Sequence, residues 1–255
     1  ALKMPTPKVC AQCHANRHAE LVDEKRFGFP SHALAMERAV DDSTAAVILE
    51  SIPATLGMPL PSPGYLAGVE RLCRERGACL ILDEVQTGLG RTGTMWSFQQ
   101  DDVRPDIVIT GKGLSGGVYP ITATLMTAEL HHFFDTHPFV HVSTFGGAEL
   151  GCVAALAVLD VVEAPGFLER VRELGERFEA GLAGLPLELR RRGLFMGLKL
   201  AKEGDALLAA RDLISAGVFA VFANNDTSVL QLLPPLIIDD HEADEIIEIV
   251  RSTRG

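Results

Sequence analysis

The sequence predicts an α/β chain, with a parallel-rich sheet and flanking helices followed by a smaller C-terminal α+β part. Three observations lead there. Short continuous apolar runs at 45–49, 79–82 and 107–109 suit strands of a parallel sheet covered on both faces. Between the first two, Leu66, Val69, Leu72 and Cys73 recur at helical spacing, so strand, helix and strand make one crossover unit. After Gly146-Gly147 the pattern changes to longer helical stretches alternating with isolated strands.

Taken in order, the first helix is framed by Pro63 before it and Gly77 after it, with Glu70, Arg71, Arg74 and Glu75 as its wet face. The stretch 151–162 is almost wholly apolar and predicts a buried helix. Over 167–185, Leu168, Val171, Leu174, Phe178 and Leu182 form one stripe, as an amphipathic helix requires. Strands are expected within 187–200 and 229–233, and a closing helix over 241–251 carries Ala243, Ile246, Ile247 and Val250 on its apolar face. This pattern divides the chain into 1–150, part of a large domain, and 151–255, a small α+β domain. The first 44 residues have little periodicity and read as a surface segment or the edge of a missing part.

A formal charge of −11 argues against nucleic-acid binding, whose footprint is a basic face. No apolar run approaches the roughly 18 residues of a membrane helix, and the N-terminus lacks the apolar core of a secretory signal, so neither membrane nor secretion is expected. Five scattered cysteines do not form a disulfide framework, which points to a reducing cytoplasm. The chain opens on Ala1 rather than Met, as a processed or shortened polypeptide does.

Each apolar strand leads to a polar residue: Glu50 after the first, Asp83 after the second, and Lys112 just past the third. Ligands of open α/β sheets bind at the carboxyl ends of strands, so these three can converge. Either charge alone reads more plainly as a turn cap or a solvated group. Together, an acid and a lysine in a glycine-lined crevice are what pyridoxal phosphate chemistry requires. The lysine forms the Schiff base and the acid keeps the pyridine nitrogen protonated, so that the ring draws electrons from a substrate carbanion. Gly111, Gly113, Gly116 and Gly117 let backbone approach a flat cofactor.

Leu80 to Gly93 reads Leu-Ile-Leu-Asp-Glu-Val-Gln-Thr-Gly-Leu-Gly-Arg-Thr-Gly, Pro105 to Gly117 contains Ile-Val-Ile-Thr-Gly-Lys-Gly-Leu-Ser-Gly-Gly, and Ser143 to Gly147 reads Ser-Thr-Phe-Gly-Gly. In this order and spacing the blocks resemble the signature of class III (ω-type) aminotransferases, and the resemblance extends roughly from Asp41 to the end. It implies a fold-type I enzyme with pyridoxal 5′-phosphate as cofactor, small amine and keto or aldehyde substrates, and a homodimer with shared sites. It further implies that Lys112 holds the cofactor and shuttles the proton, while Asp83 pairs with the pyridine nitrogen. Val85 packs on the ring, Gln86 bonds the phenolic oxygen, and Thr144 reaches the phosphate of the neighbouring subunit's cofactor. Glu50 lies near the substrate side.

Three departures accompany the resemblance. Where many relatives continue Pro-x-Gln-Gly-Glu after the glutamate, this chain has Ser51-Ile-Pro-Ala-Thr55. Relatives acting on amino acids carry an arginine just before the Leu-Pro-Pro turn, where Gln231 stands here, so the bidentate carboxylate clamp is lost. Nothing before Glu50 matches the family's phosphate-binding glycine- and serine-rich loop or its ring-stacking aromatic residue. A fragment or a shortened relative that binds the cofactor weakly, or not at all, is therefore expected.

Other motifs carry less. Gly88-Leu-Gly90-Arg-Thr-Gly93 formally matches a dinucleotide fingerprint, but four residues separate it from Asp83 and no apolar helix pattern follows. That leaves a dinucleotide-binding oxidoreductase as one alternative, and a catalytically silent chain that only dimerises as the other. Cys10-Ala-Gln-Cys13-His14 with His18 matches a haem or zinc pattern without the required surroundings. His131, His132, His137 and His141 read as surface histidines near a loop, and no metal site is expected.

Overall fold

The structure, a computed structural model, describes residues 36–254. Cys10, Cys13, His14 and His18 lie outside the described residues. The first sheet has the order β1-β2-β3-β4, built from β1 (Ala46–Glu50), β2 (Cys79–Asp83), β3 (Ile107–Thr110) and β4 (Ala123–Met126). The first three strands run parallel, and β4 returns antiparallel beside β3. Helix α1 (Tyr65–Arg76) makes the crossover from β1 to β2, burying Leu66, Val69 and Cys73 against Val47, Leu80 and Leu82. It ends where Gly77 turns left-handed at φ 68° and its N–H reaches the carbonyls of Cys73 and Arg74.

After α2 (Ala128–Thr136) and α3 (Glu149–Val162) comes an antiparallel second sheet of order β5-β6-β8-β7. Its strands are β5 (Glu188–Arg192), β6 (Phe195–Lys199), β7 (Val221–Ala223) and β8 (Asp226–Leu232). Helices α4 (Phe167–Leu182), α5 (Asp205–Ser215) and α6 (Asp240–Arg254) accompany it. Val171, Leu174 and Phe178 of α4 pack with Leu213 of α5, Ala243 and Val250 of α6, and Met196, Leu198 and Leu230 of the strands.

The two sheets are joined by the segment after β1. Ile52, Ala54 and Met58 form a buried cluster with Phe195 of β6. Arg190 donates to the Gly57 carbonyl at 2.6 Å, and Arg192 makes a two-pronged pair with Asp101, at the end of a short 3₁₀ turn (Ser97–Asp101). No single helix among the described residues is long and apolar enough to cross a membrane.

Two expectations need correction. The helix predicted as buried over 151–162 forms as α3, but Leu150, Val153, Leu156 and Val161 are exposed, Leu150 by 72 %. A helix apolar all round needs cover on every side, and the described residues meet only one. The first strand was expected to be covered on both faces, yet Ile48 in β1 is 61 % exposed, because among the described residues nothing covers that face of the strand there. The 187–200 stretch resolves into β5 and β6, which turn at Gly193-Leu194, and β8 begins earlier than the apolar pattern, at Asp226.

Candidate active site

Parallel pairing brings the first two polar strand ends side by side: Glu50 is the register partner of Asp83, and Asp83 in turn lies opposite Ile109. The third strand ends at Thr110, and Lys112 opens a 3₁₀ turn (Lys112–Ser115) with φ 46°, a left-handed conformation that costs a non-glycine residue about 1–2 kcal/mol. The carboxyl ends of three neighbouring strands thus present two acids and a lysine to one place. Their charges act on each other. Burial, the largest influence, pushes the Glu50 carboxyl above its ordinary range; the Ala54 N–H, donating at 3.1 Å, pulls it back, Asp83 raises it and Lys112 lowers it.

That raised pKa has a consequence for stability. Between the ordinary Glu50 value of 4.5 and its raised folded value, the folded chain holds more protons than the unfolded one, so the Glu50 contribution falls as pH rises through that window. Replacing Glu50 by Gln should remove that part of the slope. Thermal melts from pH 4 upward should therefore show the variant losing less stability than the unaltered chain, whereas parallel curves would contradict the assignment.

A cleft of about 790 Å³ lies next to these strand ends. Val85, Gln86 and Lys112 line it, with Arg91, the Pro235–Ile237 turn and the apolar face of α3. Asp83, Glu50 and Gln231 are not among its lining residues, nor is Thr144, which is exposed on the loop between α2 and α3. Asp83 is partly buried, and its Oδ1 accepts the Val85 N–H at 2.9 Å.

Gln231 is 8 % exposed and donates through Nε2 to the Ala54 carbonyl at 2.8 Å. Thr55, the next residue, accepts the Asn225 N–H at its carbonyl, 2.9 Å away. The two substrate-side departures therefore sit together, and Gln231 is spent on the backbone of the segment that holds Thr55. The three arginines of β5 are paired as well: Arg190 with Glu188, Arg191 with Glu179 and Arg192 with Asp101.

Two residues escaped the sequence reading. Glu84, beside Asp83, is 1 % exposed and fully bonded; its only signal was a position inside the Asp-Glu-Val-Gln run. Arg91 donates to the carbonyls of Pro234 at 2.6 Å and Leu194 at 3.3 Å, and burial brings its guanidinium down to about 10, still charged at neutral pH. The Gly88–Gly93 run that contains it is an irregular loop leading to the Ser97–Asp101 turn, not a strand-to-helix junction, so the dinucleotide fingerprint lacks its fold.

His131 and His132 lie exposed on α2, ahead of the loop that follows it, both within reach of Asp135, at 3.7 and 3.3 Å. No group of three potential metal ligands occurs among the described residues.

The residues present fit one end of pyridoxal phosphate. A lysine and a glutamine amide line a cleft beside an apolar residue, Val85, with room for a flat ring, and the acids Asp83 and Glu50 stand at the strand ends next to it. Among the described residues the cleft lining contains no glycine- and serine-rich loop preceding β1 to take the phosphate.

Known proteins similar to this chain are aminotransferases. The profile of the family described as aminotransferase class-III matches residues 3–253. An uncharacterized aminotransferase of Archaeoglobus fulgidus is 52 % identical over 222 residues, covering 85 % of this chain and 52 % of the relative. An ornithine aminotransferase structure from Toxoplasma gondii, described with partial occupancy of PLP at its active site, superposes with a TM-score of 0.79 at 33 % identity, covering 87 % of this chain and 53 % of that one. Acetylornithine aminotransferase from Elizabethkingia anophelis gives a TM-score of 0.78 at 32 % identity, covering 87 % of this chain and 57 % of that one. The chain thus spans about half the length of these relatives.

Proposed function

As a member of the class-III aminotransferase family, with the fold-type I architecture of its structural neighbours, this chain, we propose, takes part in pyridoxal-phosphate-dependent transamination. It passes an amino group from an amine or amino-acid donor to a keto or aldehyde acceptor in a two-stage ping-pong cycle. The observation that carries the reading is the meeting of Lys112, Val85 and Gln86 in one cleft, next to the paired ends Glu50 and Asp83. When bound, pyridoxal phosphate supplies an electron sink for the carbanion at the donor's amine carbon.

The chain's own residues do the rest. Asp83 holds the proton on the pyridine nitrogen, Gln86 orients the phenolic oxygen, and Val85 fills one face of the ring. Lys112 would hold the cofactor through its amine, and that same amine would take up and return the proton at the donor's amine carbon. Thr144, exposed on its loop, serves the phosphate site of a second subunit in a homodimer. Residues 1–150 belong to the large cofactor domain and 151–255 to the small domain. A cytoplasmic location suits the free thiols of Cys73, Cys79 and Cys152.

The donor in this reading lacks an α-carboxylate: a diamine, an ω-amine or a carrier-linked amine. Gln231 supplies no charge and is bonded to Ala54, Thr55 replaces the expected glutamate, and Arg190, Arg191 and Arg192 already have carboxylate partners. A second reading, a carboxylate-bearing donor, is favoured by Arg91, which lines the cleft and bonds only to carbonyls among the described residues. Half-reaction rates with a terminal diamine and with glutamate separate the two. The first reading expects the diamine to be faster; a clear preference for glutamate, kept in Gln231→Ala, overturns it.

A further inference from the structure

The turn carrying Val85 and Gln86 is held from inside the protein. Both oxygens of the Glu84 carboxylate are filled: Oε1 accepts from the Ser51 hydroxyl and from the Phe98 N–H at 3.2 Å, and Oε2 from the Thr87 hydroxyl at 2.7 Å and the Ser97 N–H at 3.0 Å. These donors come from three stretches: the residue after β1, the turn itself, and the start of the Ser97–Asp101 turn. A buried carboxylate persists only when its lone pairs are satisfied, so the four bonds fix where Glu84 can lie. The Glu84 carbonyl in turn accepts the Gly88 N–H at 2.9 Å, and Trp96 packs so close to Gly88 that a β-carbon there would lie 2.7 Å from its ring.

Asp83 and Glu84 are adjacent, and the Val85 N–H donates to Asp83 Oδ1 at 2.9 Å. The path of the turn therefore sets the orientation of the Asp83 carboxylate. We infer that Glu84, clasped by Ser51, is a positioning residue: it fixes the 83–88 turn and, through the Val85 amide, the Asp83 carboxylate that faces the cofactor's ring. The cofactor in this inference is the one in the proposed function.

The test uses the full chain, first without cofactor. Hydrogen exchange is followed at the Val85 and Gly88 amides and, as distant controls, at Leu198 and Val229 in the second sheet. Pyridoxal phosphate affinity is then read from quenching of Trp96, the chain's one tryptophan. Ser51→Ala is expected to speed exchange at Val85 and Gly88 at least fivefold, leave Leu198 and Val229 within twofold, and weaken pyridoxal phosphate binding at least threefold. Ser51→Thr, which keeps the hydroxyl, should restore both readouts. Glu84→Gln should move the same readouts further, and if it does not fold, Ser51→Ala carries the test.

Turn amides that do not respond, or that speed up in step with the two controls, overturn the inference by reducing the clasp to general support. Faster turn exchange with unchanged cofactor affinity overturns the link to Asp83. An unaltered chain that binds no pyridoxal phosphate counts against the proposed function instead, and the exchange measurement then decides the inference alone.

Discussion

Lys112→Gly is expected to abolish covalent capture of pyridoxal phosphate while leaving the fold as stable as before, or more so. Lys112 sits at φ 46°, where a side chain is penalised by about 1–2 kcal/mol. Glycine relieves that strain, and the extra freedom it gives the unfolded chain offsets about 0.4–1 kcal/mol of the gain. The net change should lie between about zero and about 1.6 kcal/mol stabilising, seen as an unchanged or higher denaturation midpoint. Transamination should fall by roughly 10²–10⁴-fold or more, since the positioned proton carrier is gone. A variant with lower stability and normal turnover would make Lys112 an ordinary turn residue. The opposite pattern, strain held in place for chemistry, is what functional sites show.

Asp83→Asn should be nearly as damaging, for a reason the geometry makes specific. The asparagine oxygen can still accept the Val85 N–H, so the turn survives and the melting temperature should hardly move. What changes is the other atom, where a carboxylate oxygen becomes an amide N–H₂ that cannot accept the pyridinium proton. Loss of a hydrogen bond to a charged partner costs about 1.5–3 kcal/mol, so cofactor affinity should fall roughly 10- to 150-fold. Turnover should fall further, because the ring loses its electron-drawing form. Spectrophotometric titration with pyridoxal phosphate checks the first part and half-reaction rates the second. Near-normal values for both would reduce Asp83 to a turn cap.

Much of the site was legible because it sits where periodicity breaks. Glu50, Asp83 and Lys112 each end or follow a run of apolar residues, and parallel pairing makes such ends neighbours; the observed register of Glu50 with Asp83 is that arrangement. The helix stripe of α4 was equally plain, since Val171, Leu174, Phe178 and Leu182 repeat at helical spacing and are all buried.

The rest depended on contacts between distant segments. Glu84 reads as one more acid in a polar run until Ser51, 33 residues earlier, and Ser97, 13 residues later, are seen to bond it. Gln231 looked like a missing cation facing substrate, whereas it is buried and tied to Ala54. β4 and β7 are short edge strands of four and three residues, too brief for an alternating pattern to stand out. α3 misled in the other direction. Its composition suited a buried helix, but burial depends on what packs against it, which composition does not contain.

The central claim is that Lys112 is the residue that bonds pyridoxal phosphate. The direct measurement is to incubate the chain with pyridoxal phosphate, record the visible spectrum, reduce with borohydride, and locate the pyridoxyl group by peptide mass spectrometry. The expected result is a visible band that disappears on reduction and a single pyridoxyl group on the peptide containing Lys112. A pyridoxyl group on Lys199 or Lys202 instead, or no band at all, would contradict it.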